Sequence, residues 1–447
     1  MTTGARDTVR PVFILRQVFS SRYTLWLAFV GAHLWLGWLN LYPLAYGFGD
    51  VRYVYKAWVD QIVVSDYWVG IDGPFVYPIL AIAPMLLAFV FGSEFYSSTW
   101  LSMVMVLDAA AFVWLIGWGR TGRNIGAAWW WVGFLVLLGP ISTGRIDAIT
   151  VPLGIIGVLL LATRPRAASV VLSLATWIKV WPAAILAAAL IATRQRGALV
   201  SSAVLVSLGI VAIALVYGSG LNVFSFITEQ TGRGLQVEAP VSTIWLWMAA
   251  AGVHDTFVYF DTDLITYQIV GPGADVASSL MTPVLAIAAL VTCGLGLLAM
   301  RRRTPVAELL PVLSLGLVVC LIAFNKVGSP QYMTWLAVPI VLGLTRGVAF
   351  RTPAVLALVI GVLTQLVYPL YYDALLTLNP VMLVVITVRN LLLFVIFAWA
   401  ISRLWKSARG TGVDFDDATG LQPAAAWPFR PAAESPRSSH QRKDTSV

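Results

Sequence analysis

The chain has 447 residues, 59% of them hydrophobic and 11% charged, with a mean hydropathy of +0.83 and a formal net charge of +8. A soluble domain carries about a quarter of its residues as charges, so this composition excludes a soluble globular protein. The basic residues cluster at the ends of apolar runs, the positive-inside pattern, which accounts for the charge without any nucleic-acid partner.

Taken in chain order, the runs 98–118, 197–218, 279–299 and 381–402 are nearly free of charge, and each is long enough to cross roughly 30 Å of hydrocarbon. The expected fold is all-α: a polytopic protein of the plasma membrane with about ten to twelve transmembrane or partially spanning helices. Arg6, Arg10, Arg16 and Arg22 put residues 1–22 in the cytoplasm, and with no small-residue cleavage site following, the first apolar run reads as a retained helix. The span at about 23–41 then delivers a long first outer loop, 42–74, that carries Asp50, Asp60, Asp66 and Asp72. Within it, 51–64 mixes aromatics with charges and reads as a helix lying in the interface. Residues 75–92 and 98–118 read as two spans, which puts Arg120 and Arg123 outside and makes 167–192 one span with Lys179 near its middle. The alternative keeps Arg120, Arg123, Arg164 and Arg166 inside, makes one early segment re-entrant, and makes 167–192 a hairpin of half-helices turning at Lys179 to Pro182. The positive-inside rule and the proline favour this second arrangement. The apolar stretches 126–140 and 148–162 fit partially spanning helices. Arg194, Arg196, Arg301, Arg302, Arg303, Arg346 and Arg351 mark cytoplasmic turns, which leaves 219–241, 325–331 and 371–378 outside. The outer region extends over 219–278, with room for a short re-entrant helix. Arg403, Lys406 and Arg409 close the membrane domain, 23–404, on the cytoplasmic side. The tail, 405–447, is rich in Pro, Ala, Ser and charge and reads as disordered.

In so apolar a chain, polar groups near membrane depth are the functional candidates, since each is costly unless paired or hydrated. Asp50, with Arg52 and Tyr53 beside it, reads on local physics first as a helix N-cap before residue 51, and otherwise as a general base for a hydroxyl. Tyr77 in FVYP opens the next apolar run as a belt aromatic ahead of a first-turn proline. Arg145 and Asp147 in GRID, with Lys179, form either a charged cluster for an anionic headgroup or structural ion pairs, Arg145 taking Asp108 or Asp147. Two outer segments, TGRGLQVE with Arg233, Gln236 and Glu238, and NKVGSPQY with Lys326, Gln331 and Tyr332, combine glycine, cation, amide and hydroxyl. The second has almost no linker between apolar runs, which makes it a pocket rim rather than a free loop. Cys293 and Cys320 read as buried small hydrophobes, and the scattered His33, His254 and His440 offer no metal-ligand spacing.

In order, GD-x-x-Y, FVYP, GRID, IKVWP, RGLQVE and NKVGSPQY resemble glycosyltransferase family 87, actinobacterial membrane enzymes of the GT-C superfamily, over roughly residues 25–345. The resemblance implies a GT-C-like fold. It also implies transfer of a sugar, mannose or in a related branch arabinofuranose, from a polyprenyl-phosphate donor on the outer face to a lipid-linked glycan or polysaccharide acceptor. Asp50 falls at the position of the family's catalytic aspartate, and the transfer would invert the anomeric centre. Two positions depart from the family: Tyr77-Pro78-Ile79 stands where relatives read YPP, and Ala239 where many have Ser. No cofactor is required by these residues, and a divalent ion on Asp50 is compatible with them. The rival reading is a transporter or lipid flippase, which also uses broken helices with midplane charge such as Lys179 and Asp108. Against it stand the lack of an internal repeat and the gathering of the polar segments on one side. A third reading is a non-catalytic scaffold subunit of an envelope-building complex.

Overall fold

In a computed structural model the chain is described over residues 21–42, 45–117, 124–229, 233–262, 264–347 and 349–410. It is an all-α polytopic membrane protein with one small sheet among the described residues. Eight helices among the described residues are long and apolar enough to cross a bilayer. They are α1 (Arg22–Leu41), α4 (Tyr96–Ile116, with one preceding turn), α5 (Ile125–Leu138, with one following turn), α9 (Arg196–Val216), α12 (Ala274–Arg301), α13 (Val306–Ala323), α15 (Arg351–Gln365, continued to Leu370) and α17 (Pro380–Arg409). Helices suit this composition because every backbone polar group is satisfied within its own segment. Between them run α2 (Lys56–Ser65), α3 (Ile82–Ala88), α6 (Asp147–Leu160), α7 (Pro165–Ile178), α8 (Pro182–Ala192), α10 (Ser225–Thr228), α11 (Thr243–Ala250), α14 (Ala337–Thr345) and α16 (Tyr372–Leu376).

Several boundaries differ from expectation. The expected span 75–92 is helical only over Ile79–Ala88, about 15 Å long at helical rise and so half the hydrocarbon thickness. The segment 167–192 is not one helix: α7 ends at Ile178, Lys179 is extended, and α8 begins at Pro182. A proline at N1 is what that spelling favours. The outer region 219–278 contains strand as well as helix. β1 (Leu235–Gln236), β2 (Phe257–Asp261) and β3 (Thr266–Val270) pair antiparallel in the order β1-β3-β2. The β-branched and aromatic residues of FVYFD and TYQIV account for that choice. The 51–64 stretch is helical, from Asp50 to Ser65, and buries Val51, Tyr55, Val59 and Ile62 at spacings of four and three. The last helix passes the expected boundary at 404 and ends at Gly410 in the left-handed cap conformation. Arg120, Arg123, the arginines before Ser21 and the tail from 411 lie outside the described residues.

Asp108, buried in α4, is matched by His33 of α1: Nε2 and Oδ2 are 2.9 Å apart, and the other ring nitrogen lies 2.9 Å from the Phe29 carbonyl. The expected partner, Arg145, is engaged elsewhere. A lone carboxylate in an apolar bundle is tolerated when a hydrogen-bonding partner accompanies it.

Three apolar cores divide the bundle. One is built on α1, α5, α13 and α14, a second on Phe48 to Val104 with Ile146 and Ile149, and a third on Leu235, Val237, Ile269 and Leu383. The polar cluster described next is threaded between them, with Ile146 in the second, Val237 in the third and Trp335 in the first.

Candidate active site

Asp50 lies inside a wide helical turn, Asp50–Tyr55, and Gly49 takes the cap position without a side-chain hydrogen bond. The carboxylate is therefore not an N-cap. Its Oδ1 meets Arg145 Nη1 at 2.9 Å. That meeting follows from how the two turns are pressed together. A Cβ on Gly144 would stand 2.7 Å from the Gly47 carbonyl oxygen and 3.1 Å from Asn40 Oδ1, so GRID requires glycine at its first position. Asn40 donates to the Pro140 carbonyl at 3.0 Å and to Thr143 Oγ1 at 2.9 Å, and Trp100 Nε1 donates to the Thr143 carbonyl at 3.1 Å. The Ile146 amide donates to Tyr55 Oη at 3.2 Å. This buried non-helical loop is tolerated at depth because protein groups satisfy it. Arg145 also donates through Nη2 to Tyr368 Oη at 3.1 Å. Its side chain is 8% exposed and that of Asp50 is 32%, so the acid faces outward and the guanidinium backs it.

Asp147, fully buried in the first turn of α6, carries the second pair. Its Oδ2 accepts from Lys179 Nζ at 3.2 Å and its Oδ1 from Trp335 Nε1 at 2.6 Å. The break at Lys179 releases that side chain between two rings, with Nζ 4.8 Å from the Tyr77 centroid and 5.5 Å from that of Tyr332. Trp335 is stacked between Tyr332 at 4.3 Å and Trp181 at 5.5 Å. Desolvated cation–π contacts of this kind add to the grip on an ammonium group. Tyr77 and Tyr55, with ring centroids 6.2 Å apart, link the two ion pairs.

The two outer segments pack backbone to backbone. The Gln236 amide donates to the Lys326 carbonyl at 3.1 Å, and a Cβ on Gly328 would come within 2.2–2.4 Å of Ala239 N, Ala239 Cα and Glu238 C. We expect Gly328→Ala to force these strands apart at a cost of about 1–3 kcal/mol; a lowered unfolding midpoint of the purified protein would register it, and an unchanged midpoint would refute the close packing. Arg233 is half-buried, with Nε 3.4 Å from the Glu229 carbonyl. Burial and the nearby Arg233 charge hold the buried Lys326 ammonium below the usual lysine range. Arg233 also bears electrostatically on Tyr332, as does Lys179. Burial pushes the Glu238 carboxyl up to about 7, against the pull of Arg389 and Arg145.

Ion pairs and ring contacts thus join Asp50, Arg145, Asp147, Lys179, Tyr77 and Tyr332, and Arg233, Lys326 and Glu238 couple to this region through space. Three candidates stand apart from its centre. Tyr53 is 74% exposed and takes no part in the contacts of Asp50 or Arg145. Arg52 donates to the Leu41 carbonyl at 2.8 Å and lies over the Phe48 ring, which closes the turn. Gln331 is buried, and its Oε1 accepts from Ser329 Oγ of its own segment. Sequence reasoning passed over Tyr55, Trp335, Tyr368 and Arg389. Only Arg389 left a signal, as an isolated cation inside the run 381–402. Among the described residues no cluster of His, Cys, Asp and Glu has the makings of a metal site.

Comparison with protein-family models, curated proteins and solved structures yields no match for this chain.

Proposed function

We propose that this chain is a membrane glycosyltransferase. It moves a sugar, mannose on the family resemblance, from a polyprenyl-phosphate donor to a lipid-linked glycan or polysaccharide acceptor on the extracytoplasmic face, with inversion. The observation that carries the reading is a partly accessible carboxylate, Asp50, backed by a buried guanidinium within a region rich in cations and bounded by apolar helices. In the reaction Asp50 accepts the proton of the acceptor hydroxyl while that hydroxyl's oxygen bonds to the anomeric carbon. The bond from that carbon to the phosphate oxygen breaks, and the electron pair leaves on the polyprenyl phosphate. No general acid is required for so good a leaving group. The sugar passes through oxocarbenium character as negative charge grows on phosphate, and positioned cations in a partly dry site stabilise that charge.

The cations assigned to the phosphate headgroup are Lys179, Arg233 and Lys326, with Arg145 next. The lipid donor accounts for a site at membrane depth, because the polyprenyl chain stays in the bilayer.

The test supplies purified protein with radiolabelled polyprenyl-phosphate mannose and a glycolipid acceptor, and reads label in the acceptor and the configuration of the new linkage. An α-linked product from a β-linked donor is expected. Retention of configuration would remove the single-displacement chemistry assigned to Asp50. Movement of labelled lipid across a proteoliposome membrane with no transfer would favour the transporter reading, to which the helix break at Lys179 lends support.

A further inference from the structure

A cation inside a membrane-crossing helix is expensive unless something engages it. Arg389, in α17, is 1% exposed. Its Nη2 donates to the backbone carbonyl of Glu238 at 2.8 Å, and its Nη1 lies 3.9 Å from Glu238 Oε2. That carboxylate oxygen is buried and has no hydrogen-bond partner among the described residues. The neighbouring Asn390 donates to Thr243 Oγ1 at 2.8 Å, so residues 389 and 390 dock both ends of the turn from Glu238 to Thr243. One guanidinium therefore holds the backbone of residue 238 directly and bears on its side chain through space.

The groups that bear electrostatically on this carboxyl come from four elements. They are Arg389 of α17, which also touches it, Arg145 of the turn before α6, Tyr368 of the turn closing α15, and Tyr372 of α16. Arg145 is the same residue that pairs with Asp50. A carboxyl coupled to it through space modulates the field around the proposed base and leaving group.

We propose that Arg389 is a positioning residue: it holds Glu238 as a second protonatable carboxyl of the site, within the field of Arg145, so that the charge state of Glu238 governs the rate of sugar transfer. The inference rests on the transferase reading above for its consequence, although the coupling of Arg389 to Glu238 does not. Protonated Glu238 leaves the full field of Arg145 to the growing phosphate charge. Ionised Glu238 opposes that charge, so transfer falls as pH rises through its titration. Burial drives the carboxyl toward about 7 while the two arginines hold it down. Loss of Arg389 therefore moves the titration to higher pH.

The experiment uses the full chain in nanodiscs with two readouts. The first is the infrared absorbance of the protonated carboxyl as a function of pH, with the Glu238 band identified by its loss in Glu238→Gln. The second is the pH profile of transfer from polyprenyl-phosphate mannose to a glycolipid acceptor. In the wild type the band disappears and transfer declines together as pH rises through neutrality. Arg389→Gln is expected to move both upward by roughly 1 pH unit or more. Arg389→Lys, which keeps the charge, is expected to bring them back toward the wild-type position, and Glu238→Gln to flatten the decline. A band that titrates identically with and without Arg389, or a Glu238→Gln spectrum equal to that of the wild type, overturns the proposal. If Arg389→Gln does not fold, Arg389→Lys and Glu238→Gln still decide it: an unaltered pH profile in Glu238→Gln rejects control by this carboxyl. Absence of any transfer by wild-type protein would instead count against the proposed function, with the infrared titration still reporting on the Arg389–Glu238 coupling.

Discussion

Asp50→Asn is expected to lower the rate of sugar transfer by about 10²–10⁴-fold, the contribution of a positioned general base, with donor binding largely retained. The substitution is nearly isosteric and removes only the ability to take a proton. Because Arg145 Nη1 is ion-paired with this carboxylate at 2.9 Å, the amide also leaves the guanidinium facing a neutral group. Arg145→Lys separates the two effects. It keeps a cation but loses the fork that holds Asp50 and Tyr368 together, so a smaller fall in rate is expected than for Asp50→Asn. Initial rates with saturating donor, together with binding of polyprenyl phosphate alone, distinguish a chemical step from a binding step. An Asp50→Asn protein as active as the wild type would exclude Asp50 as the base.

Asp147→Ala is expected to destabilise the protein by about 3–5 kcal/mol, the usual result of removing one member of a buried ion pair. Asp147 is fully buried and accepts from both Lys179 and Trp335, so its loss strands an ammonium and an indole N–H. These three residues come from α6, from the break between α7 and α8, and from the turn before α14. The carboxylate is thus the tie that joins three separated segments. The double substitution Asp147→Leu with Lys179→Met replaces the pair by apolar groups and should recover much of the stability, since a matched apolar pair is close to neutral. Unfolding midpoints in one detergent across the two single variants and the double variant measure the coupling. If the two single costs simply add in the double variant, the pair is not a coupled unit. Transfer activity is not expected to return with stability, because Lys179 borders Tyr332 and Tyr77 in the polar region.

Much of the architecture was legible in the chain alone. Long runs without charge announce membrane helices because no other element satisfies a backbone surrounded by lipid, and the runs at 98–118, 197–218, 279–299 and 381–402 all overlap helices of the fold. The break at Lys179 was written in the same way, through a lysine and a proline inside an apolar stretch. So were the polar segments worth attention: six short motifs spread over some three hundred residues supply most of the site.

Partnership was not legible, because several acids and cations of similar cost were available and local spelling does not rank distances across the chain. Asp50 reads first as an N-cap until the contact between Gly47 and Gly144 delivers Arg145 to it. Asp108 had Arg145 as its obvious mate, yet packing of α1 on α4 supplies His33. The backbone contact of Gln236 with Lys326, and the docking of Arg389 on Glu238, join residues some ninety and one hundred and fifty positions apart. The sequence by itself determined that this protein lives in a membrane and which polar letters it could not discard. Only the tertiary structure decided which of those letters face one another, because buried charge is stabilised by specific neighbours at hydrogen-bond range rather than by composition.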